Sequence, residues 1–160
     1  MNLRIGYGFD VHKFVSKKKF ILGGIEIPYE KGCLAHSDGD VLIHAICDAL
    51  LGAANLRDIG FHFPDNDVKF KNIDSKILLK RVASLLSNKG YSICNIDSTI
   101  CLQRPKIKEF IPLMKQELRR ILQISEDDVS IKATTTEKLG FVGRGEGISA
   151  SVVVLIKKKS

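Results

Sequence analysis

The hydrophobic pattern of the chain changes period several times, and each change predicts an element. Residues 3–9 begin as a strand, which is expected to end at the polar pair Asp10 and His12. A lysine-bearing loop follows, and then Phe20-Ile21-Leu22 and Ile25-Glu26-Ile27-Pro28 flank Gly23-Gly24 as a hairpin. From Val41 the apolar residues are dense enough for a buried helix over 40–54, ending near Asn55, with Ser37 or Asp38 able to cap its free N–H groups. The polar, turn-rich stretch 55–73 is longer than most connections, which points to a functional, substrate-contacting loop. Asp74-Ser75 opens a second helix to about Asn88, with Ile77, Leu78, Val82, Leu85 and Leu86 on its buried side and Lys89-Gly90 ending it.

Residues 91–103 alternate as a strand until Arg104-Pro105 breaks it. A third helix is expected over 108–122, where Pro112 fits because it lies in the first turn. A strand over 129–133 leads into Thr134-Thr135-Thr136-Glu137, whose spacing is that of a capping box. The last strand, 148–156, is apolar on both faces toward its end. Strands interleaved with helices indicate an α+β or α/β domain, with a mixed sheet and helices on one face.

At 160 residues the chain has room for one well-buried domain, 1–160, and not for two of ordinary size. A 44% hydrophobic and 27% charged composition belongs to a globular, soluble protein. The net charge of +7 would permit nucleic-acid binding, but the lysines are spread out except for Lys17-Lys18-Lys19 and Lys157-Lys158-Lys159. A small anionic substrate accounts for the positive field equally well, and no nucleic-acid partner is expected. Cysteines 33, 47, 94 and 101 form no Cys-x-x-Cys pair and read as reduced, small hydrophobes of an intracellular protein. With no signal sequence, no apolar run long enough for a bilayer, and a strand starting almost at Met1, the expected location is the cytoplasm, without membrane or transit peptide.

Two polar groups sit where packing does not need them. In extended backbone Asp10 and His12 point the same way, so they can grip one ion, and His44 in the apolar helix supplies a third ligand. Three N/O ligands with a vacant fourth position describe a catalytic zinc site, because structural sites are closed by four ligands. Asp-x-His alone is a weak signal, and the alternative is a solvated loop. Asp48, one helical turn beyond His44, is either a carboxylate that orients His44 or a structural residue.

Several long motifs now converge. They are Gly6-Tyr7-Gly8-Phe9-Asp10-Val11-His12; Ala35-His36-Ser37-Asp38-Gly39-Asp40-Val41 with His44; Asp48-Ala49-Leu50-Leu51-Gly52-Ala53-Ala54; and Asp58-Ile59-Gly60 with Phe63-Pro64-Asp65. Lys132-Ala133-Thr134-Thr135-Thr136-Glu137-Lys138-Leu139-Gly140-Phe141 and Gly143-Arg144-Gly145-Glu146-Gly147 complete the set. In this order, over nearly the whole chain, they resemble the 2-C-methyl-D-erythritol 2,4-cyclodiphosphate synthase family. The resemblance implies an α+β fold assembled as a homotrimer, its sheets surrounding the central axis and its active sites lying between subunits. It also implies a metal-dependent phosphorus–oxygen lyase of the non-mevalonate isoprenoid pathway. There, 4-diphosphocytidyl-2-C-methyl-D-erythritol 2-phosphate is cyclised with release of CMP.

By the same resemblance Asp10, His12 and His44 hold Zn²⁺, and Glu137 holds Mg²⁺ or Mn²⁺ bridging the substrate diphosphate. His36 and Thr135 would stabilise the transition state. Asp10, Val11, His12, His36, Ser37, Asp58, Ile59, Gly60, Phe63, Pro64, Asp65, Asn66 and Asp67 would meet the methylerythritol and phosphates. Leu102, Gln103, Arg104, Pro105, Lys106, Ile107 and Lys108 would frame the cytidine, although a bulky Arg104 departs from the expected pattern. Thr134, Thr135, Thr136, Glu137, Phe141 and Arg144 complete the ligand contacts, and capping alone is the competing reading for the threonines and Glu137. Relatives often carry a glutamate in the last strand that pairs with the arginine near the trimer axis, where an isoprenoid diphosphate can bind. Here that position is Ser151. Two further readings stay open: another zinc phosphohydrolase, which needs a base such as Asp48 or His36 beside a metal-bound water, and a non-catalytic, metal-stabilised assembly protein.

Overall fold

A computed structural model describes residues 2–159. Its first strand, β1 (Leu3–Ser16), runs four residues past His12 instead of stopping there. Pairing explains the extra length. The final strand, β7 (Gly147–Lys158), lies antiparallel to β1 from Leu3↔Lys157 to Lys13↔Gly147, and the unanticipated β4 (Lys31–Leu34) takes the other edge from Lys13↔Leu34 to Ser16↔Lys31. Strands β5 (Tyr91–Cys101) and β6 (Val129–Thr134) complete a mixed five-stranded sheet of order β4-β1-β7-β5-β6, in which only β5 and β6 run parallel. The hairpin expected around Gly23-Gly24 forms as β2 (Phe20–Leu22) and β3 (Ile25–Ile27).

Helix α1 (Val41–Ala53) lies on β1 and β7, helix α3 (Ser75–Asn88) lies beside α1, and α4 (Ile111–Leu122) packs on α3 and β6. The architecture is thus α+β with the long helices on one face. Strand β1 shows why this face receives them. Its even positions Gly6 and Gly8 offer no side chain, and a Cβ built there would stand 1.8 Å and 1.9 Å from the carbonyl oxygens of Ala49 and Ala45. The backbone of α1 therefore rests directly on that of β1, and the next even positions, Asp10 and His12, come up against the same helix. Odd positions Ile5, Tyr7, Phe9 and Val11 point to the opposite face and are between 44% and 72% exposed, with Val153 of β7 among them.

Three expectations need correction. Asp40, not Ser37 or Asp38, caps α1: its buried carboxylate accepts from the N–H of Ile43 and from those of Gly23 and Gly24 in the hairpin. In α3 Ile77 is 46% exposed while Leu79 is fully buried. Ser75, at the first position, is turned fully inward, and a residue two positions on lies about 200° around the helix. The sequence Thr134-Thr135-Thr136-Glu137 starts no helix, because Glu137 and Lys138 both take left-handed backbone, and the next helix is the single turn α5 (Gly140–Gly143). Cys33 and Cys47 are buried and free, and burial pushes both thiols up, Cys33 to about 12. No helix among the described residues is long and apolar enough to cross a membrane.

Candidate metal centre and adjoining cavity

Asp10 and His12 stand on the α1 side of β1, and His44 comes down from the second turn of α1. Asp10 Oδ2 lies 3.1 Å from His12 Nε2 and 3.1 Å from His44 Nδ1, and the two nitrogens are 3.1 Å apart. These three donors form a nearly equilateral triangle. Ligands about 2.0–2.1 Å from a tetrahedral ion are separated by roughly 3.3 Å, so the triangle fits one face of such a coordination shell. Two imidazoles and a carboxylate are a donor set suited to zinc. They are the group of potential ligands that converges among the described residues.

The electrostatics agree with this grouping. Burial alone would raise the Asp10 carboxyl, but hydrogen bonds and charge from His12 and His44 outweigh it and leave Asp10 well below the usual carboxylate range. Burial would lower His44, yet the hydrogen bond and charge of Asp10 bring it above its ordinary value of 6.5. On its other side, His44 Nε2 lies 2.9 Å from Ser75 Oγ and 3.1 Å from Ser37 Oγ.

A cavity of about 340 Å³ opens beside the triangle. Of the residues expected at the site, it is lined by His12, His36, Ser37, His44, Ile59, Gly60, Phe63 and Asp65; Phe70, Ile73 and Leu78 were not anticipated. The loop over 55–73 folds into the single turn α2 (Ile59–His62) and a 3₁₀ turn, Val68–Phe70. Asp58 precedes α2 without capping it, and Pro64 and Asn66 do not line the cavity. Asp67 caps the 3₁₀ turn through the N–H of Lys69, and its carbonyl lies 3.3 Å from His36 Nε2. Asp48 makes no hydrogen bond to His44: it accepts the N–H of Ile59 at 2.8 Å, which favours its structural role.

The remaining site residues lie elsewhere. Asp10 pairs with Ala150, which pairs with Ile100, which pairs with Ala133, so the end of β6 is three strands from β1. At about 4.8 Å per strand that is roughly 14 Å. Neither residues 102–108 nor residues 134–137, Phe141 or Arg144 line the cavity. The first two segments do meet each other, since the N–H of Leu102 donates to the Thr134 carbonyl at 2.9 Å. Thr135 Oγ1 donates to Glu137 at 3.1 Å, and Gln103 Oε1 is buried without a hydrogen-bond partner among the described residues. Arg144 is not left without an acid by Ser151, because Glu146 takes its Nε at 2.7 Å and its Nη2 at 3.2 Å. Ser151 Oγ instead lies 3.5 Å from Tyr7 Oη.

A family model described as the YgbB family matches residues 3–157. The chain belongs to the YgbB family. Among curated members, a 2-C-methyl-D-erythritol 2,4-cyclodiphosphate synthase of Bacteroides fragilis is 62% identical over 158 residues, covering 99% of both chains. One from Francisella philomiragia is 58% identical over 159 residues, covering 99% of this chain and all of that one. Among solved structures, the bifunctional IspDF of Campylobacter jejuni superposes with a TM-score of 0.94 at 44% identity; the match covers 98% of this chain and 42% of that longer protein. The IspF of Plasmodium falciparum in complex with CDP superposes with a TM-score of 0.88 at 35% identity, covering 99% of this chain and 98% of that one.

Proposed function

We propose that this YgbB-family member is the cyclodiphosphate synthase of the non-mevalonate route to isoprenoids. It converts 4-diphosphocytidyl-2-C-methyl-D-erythritol 2-phosphate to 2-C-methyl-D-erythritol 2,4-cyclodiphosphate and CMP in the cytoplasm. The observation that carries the reading is the donor triangle of Asp10, His12 and His44, two of whose members, His12 and His44, line the cavity. Full-length relatives named for this activity and a relative complexed with CDP support it.

In this reading Asp10, His12 and His44 hold Zn²⁺, and Glu137 holds Mg²⁺ or Mn²⁺. Bound there, the two ions supply neutralisation of diphosphate charge. The 2-phosphate oxygen attacks the β-phosphorus, the β-phosphorus–oxygen bond to CMP breaks, and no protein nucleophile is consumed. The chain's own work is positioning. His36 and Thr135 donate hydrogen bonds to phosphate oxygens as charge shifts. Ser37, Asp58, Ile59, Gly60 and Phe63–Asp67 seat the methylerythritol, and residues 102–108 read the cytosine largely through backbone groups. Since the metal half and the cytidine half are about 14 Å apart within one chain, the site is completed by a second copy. The open face of Ile5, Tyr7, Phe9, Val11 and Val153 turns to the axis of a homotrimer. An isoprenoid diphosphate at that axis would meet Arg144 already held by Glu146.

Phosphorus NMR of the protein incubated with substrate tests the reading. CMP with a cyclic diphosphate is expected. Linear phosphates would indicate a hydrolase, and unchanged substrate a binding or assembly protein.

A further inference from the structure

We propose that Ser75 and Asp38 are positioning residues that hold a proton on the outer nitrogen of His44 and thereby present its inner nitrogen as a metal ligand. The proposal rests on reading Asp10, His12 and His44 as the metal site.

The reasoning is a count of protons. Ser75 Oγ carries one hydrogen and lies 2.5 Å from Asp38 Oδ1 and 2.9 Å from His44 Nε2. Asp38 is already committed as an acceptor: Oδ2 takes the N–H of Ser75 at 2.9 Å, and Oδ1 takes the N–H of Asp40 at 3.2 Å. The Ser75 proton therefore goes to the carboxylate, leaving lone pairs of Ser75 Oγ toward the imidazole. Toward Ser75 Oγ the ring presents a hydrogen on Nε2, because two lone pairs 2.9 Å apart in a buried site would repel. Ser37 Oγ, which accepts the N–H of Gly39 at 3.2 Å, lies 3.1 Å from the same nitrogen and has a second lone pair to share its hydrogen. With an ion bound, a neutral ring protonated at Nε2 would turn its free lone pair at Nδ1 to the ion, between Asp10 Oδ2 and His12 Nε2; without one, that position donates to Asp10 when the ring is protonated.

A simpler role for Ser75, closing the start of α3, is already filled by its neighbour. Asp74 occupies the capping position and accepts the N–H of Lys76 at 2.9 Å. The Ser75 side chain is not needed there, yet it is fully buried and turned to His44, and the same rotation of α3 leaves Ile77 in solvent. Partners of this kind on a ligating histidine fix its tautomer and orientation, and losing them typically weakens metal binding about 10- to 100-fold.

The test uses the metal-free full chain and Zn²⁺ itself, titrated in competition with a chromophoric chelator at constant pH. Ser75→Ala leaves Ser37 as the remaining acceptor, so a loss of about 10-fold in affinity is expected. Ser37→Ala/Ser75→Ala together should approach about 100-fold. Nitrogen-15 spectra of histidine-labelled wild type with Zn²⁺ should show His44 protonated at Nε2, with a slowly exchanging proton that exchanges faster in Ser75→Ala. Wild type that binds Zn²⁺ while Ser75→Ala binds equally well overturns the proposal. So does a His44 whose Nε2 is bare in the wild type, which is decisive even if the variant does not fold. Wild type that takes up no Zn²⁺ overturns the metal-site reading itself.

Discussion

The carboxylate of Asp48, on the third turn of α1, accepts the backbone N–H of Ile59 at 2.8 Å and so ties the cavity wall to the most buried helix of the domain. Removing it in Asp48→Ala leaves that N–H unpaired, at a cost of about 1 kcal/mol, or roughly fivefold. The effect should fall on KM for the substrate, with kcat changed less than about twofold. Asp48→Asn retains an acceptor oxygen and should behave like wild type. Steady-state kinetics decide, and equal damage by both substitutions would contradict the tie.

Gly8→Ala should be far more harmful than its chemistry suggests. The new methyl would sit 1.9 Å from the carbonyl oxygen of Ala45, so α1 must lift off β1 and carry His44 away from Asp10 and His12. Overpacking of this kind costs about 1–3 kcal/mol or more. For a domain of this size the melting temperature should drop by roughly 2–12 °C, and zinc binding should weaken in parallel. A variant melting like wild type would refute the backbone-on-backbone packing.

Zinc binding should release a proton, and more of it at pH 6 than at pH 8. In the metal-free protein Asp10 holds His44 above 6.5, so the ion and the proton compete for Nδ1. The signs follow separately. The raised His44 stabilises the metal-free fold below its unfolded value, an advantage lost as pH rises through its folded value; the lowered Asp10 stabilises it above 3.8, an advantage lost as pH falls. Calorimetry in two buffers of different ionisation enthalpy counts the protons. A count of zero at pH 6 would show that no such competition exists.

Mixed trimers test the separation of the two halves of the site. Asp10→Asn and Lys106→Glu chains, each inactive alone, are unfolded and refolded together in equal amounts. About three-quarters of closed cyclic trimers then contain both kinds, and each of those has one interface joining two intact halves. Roughly a quarter of wild-type activity should return. Demonstrated heterotrimers without activity would place the whole site in one chain.

Local chemistry was legible in the sequence. Asp10 and His12 at i and i+2, and His44 in an apolar helix, announced a convergence that the fold delivers. What depended on distant partners was not. The tail of β1 past His12 exists because β4 pairs along Lys13–Ser16, and nothing in Lys13-Phe14-Val15-Ser16 names that partner. The face of α3 was misread at Ile77 because Ser75, a polar residue, faces inward. The Thr134–Glu137 run carries capping chemistry, yet left-handed backbone at Glu137 and Lys138 bends it into a turn where Thr135 bonds Glu137 directly. Gly6 and Gly8 were a usable signal for close helix contact, read only as part of a motif.

The pairing of Asp10 with Ala150 also has a consequence in time. During synthesis from the N-terminus, β1 is made well before its sheet neighbour β7. Until β7 has been made, the strand bearing Asp10 and His12 has no partner on that edge. Pairings this remote in sequence close late and slowly. Any ion taken by Asp10, His12 and His44 is accordingly expected to enter after β7 has paired with β1.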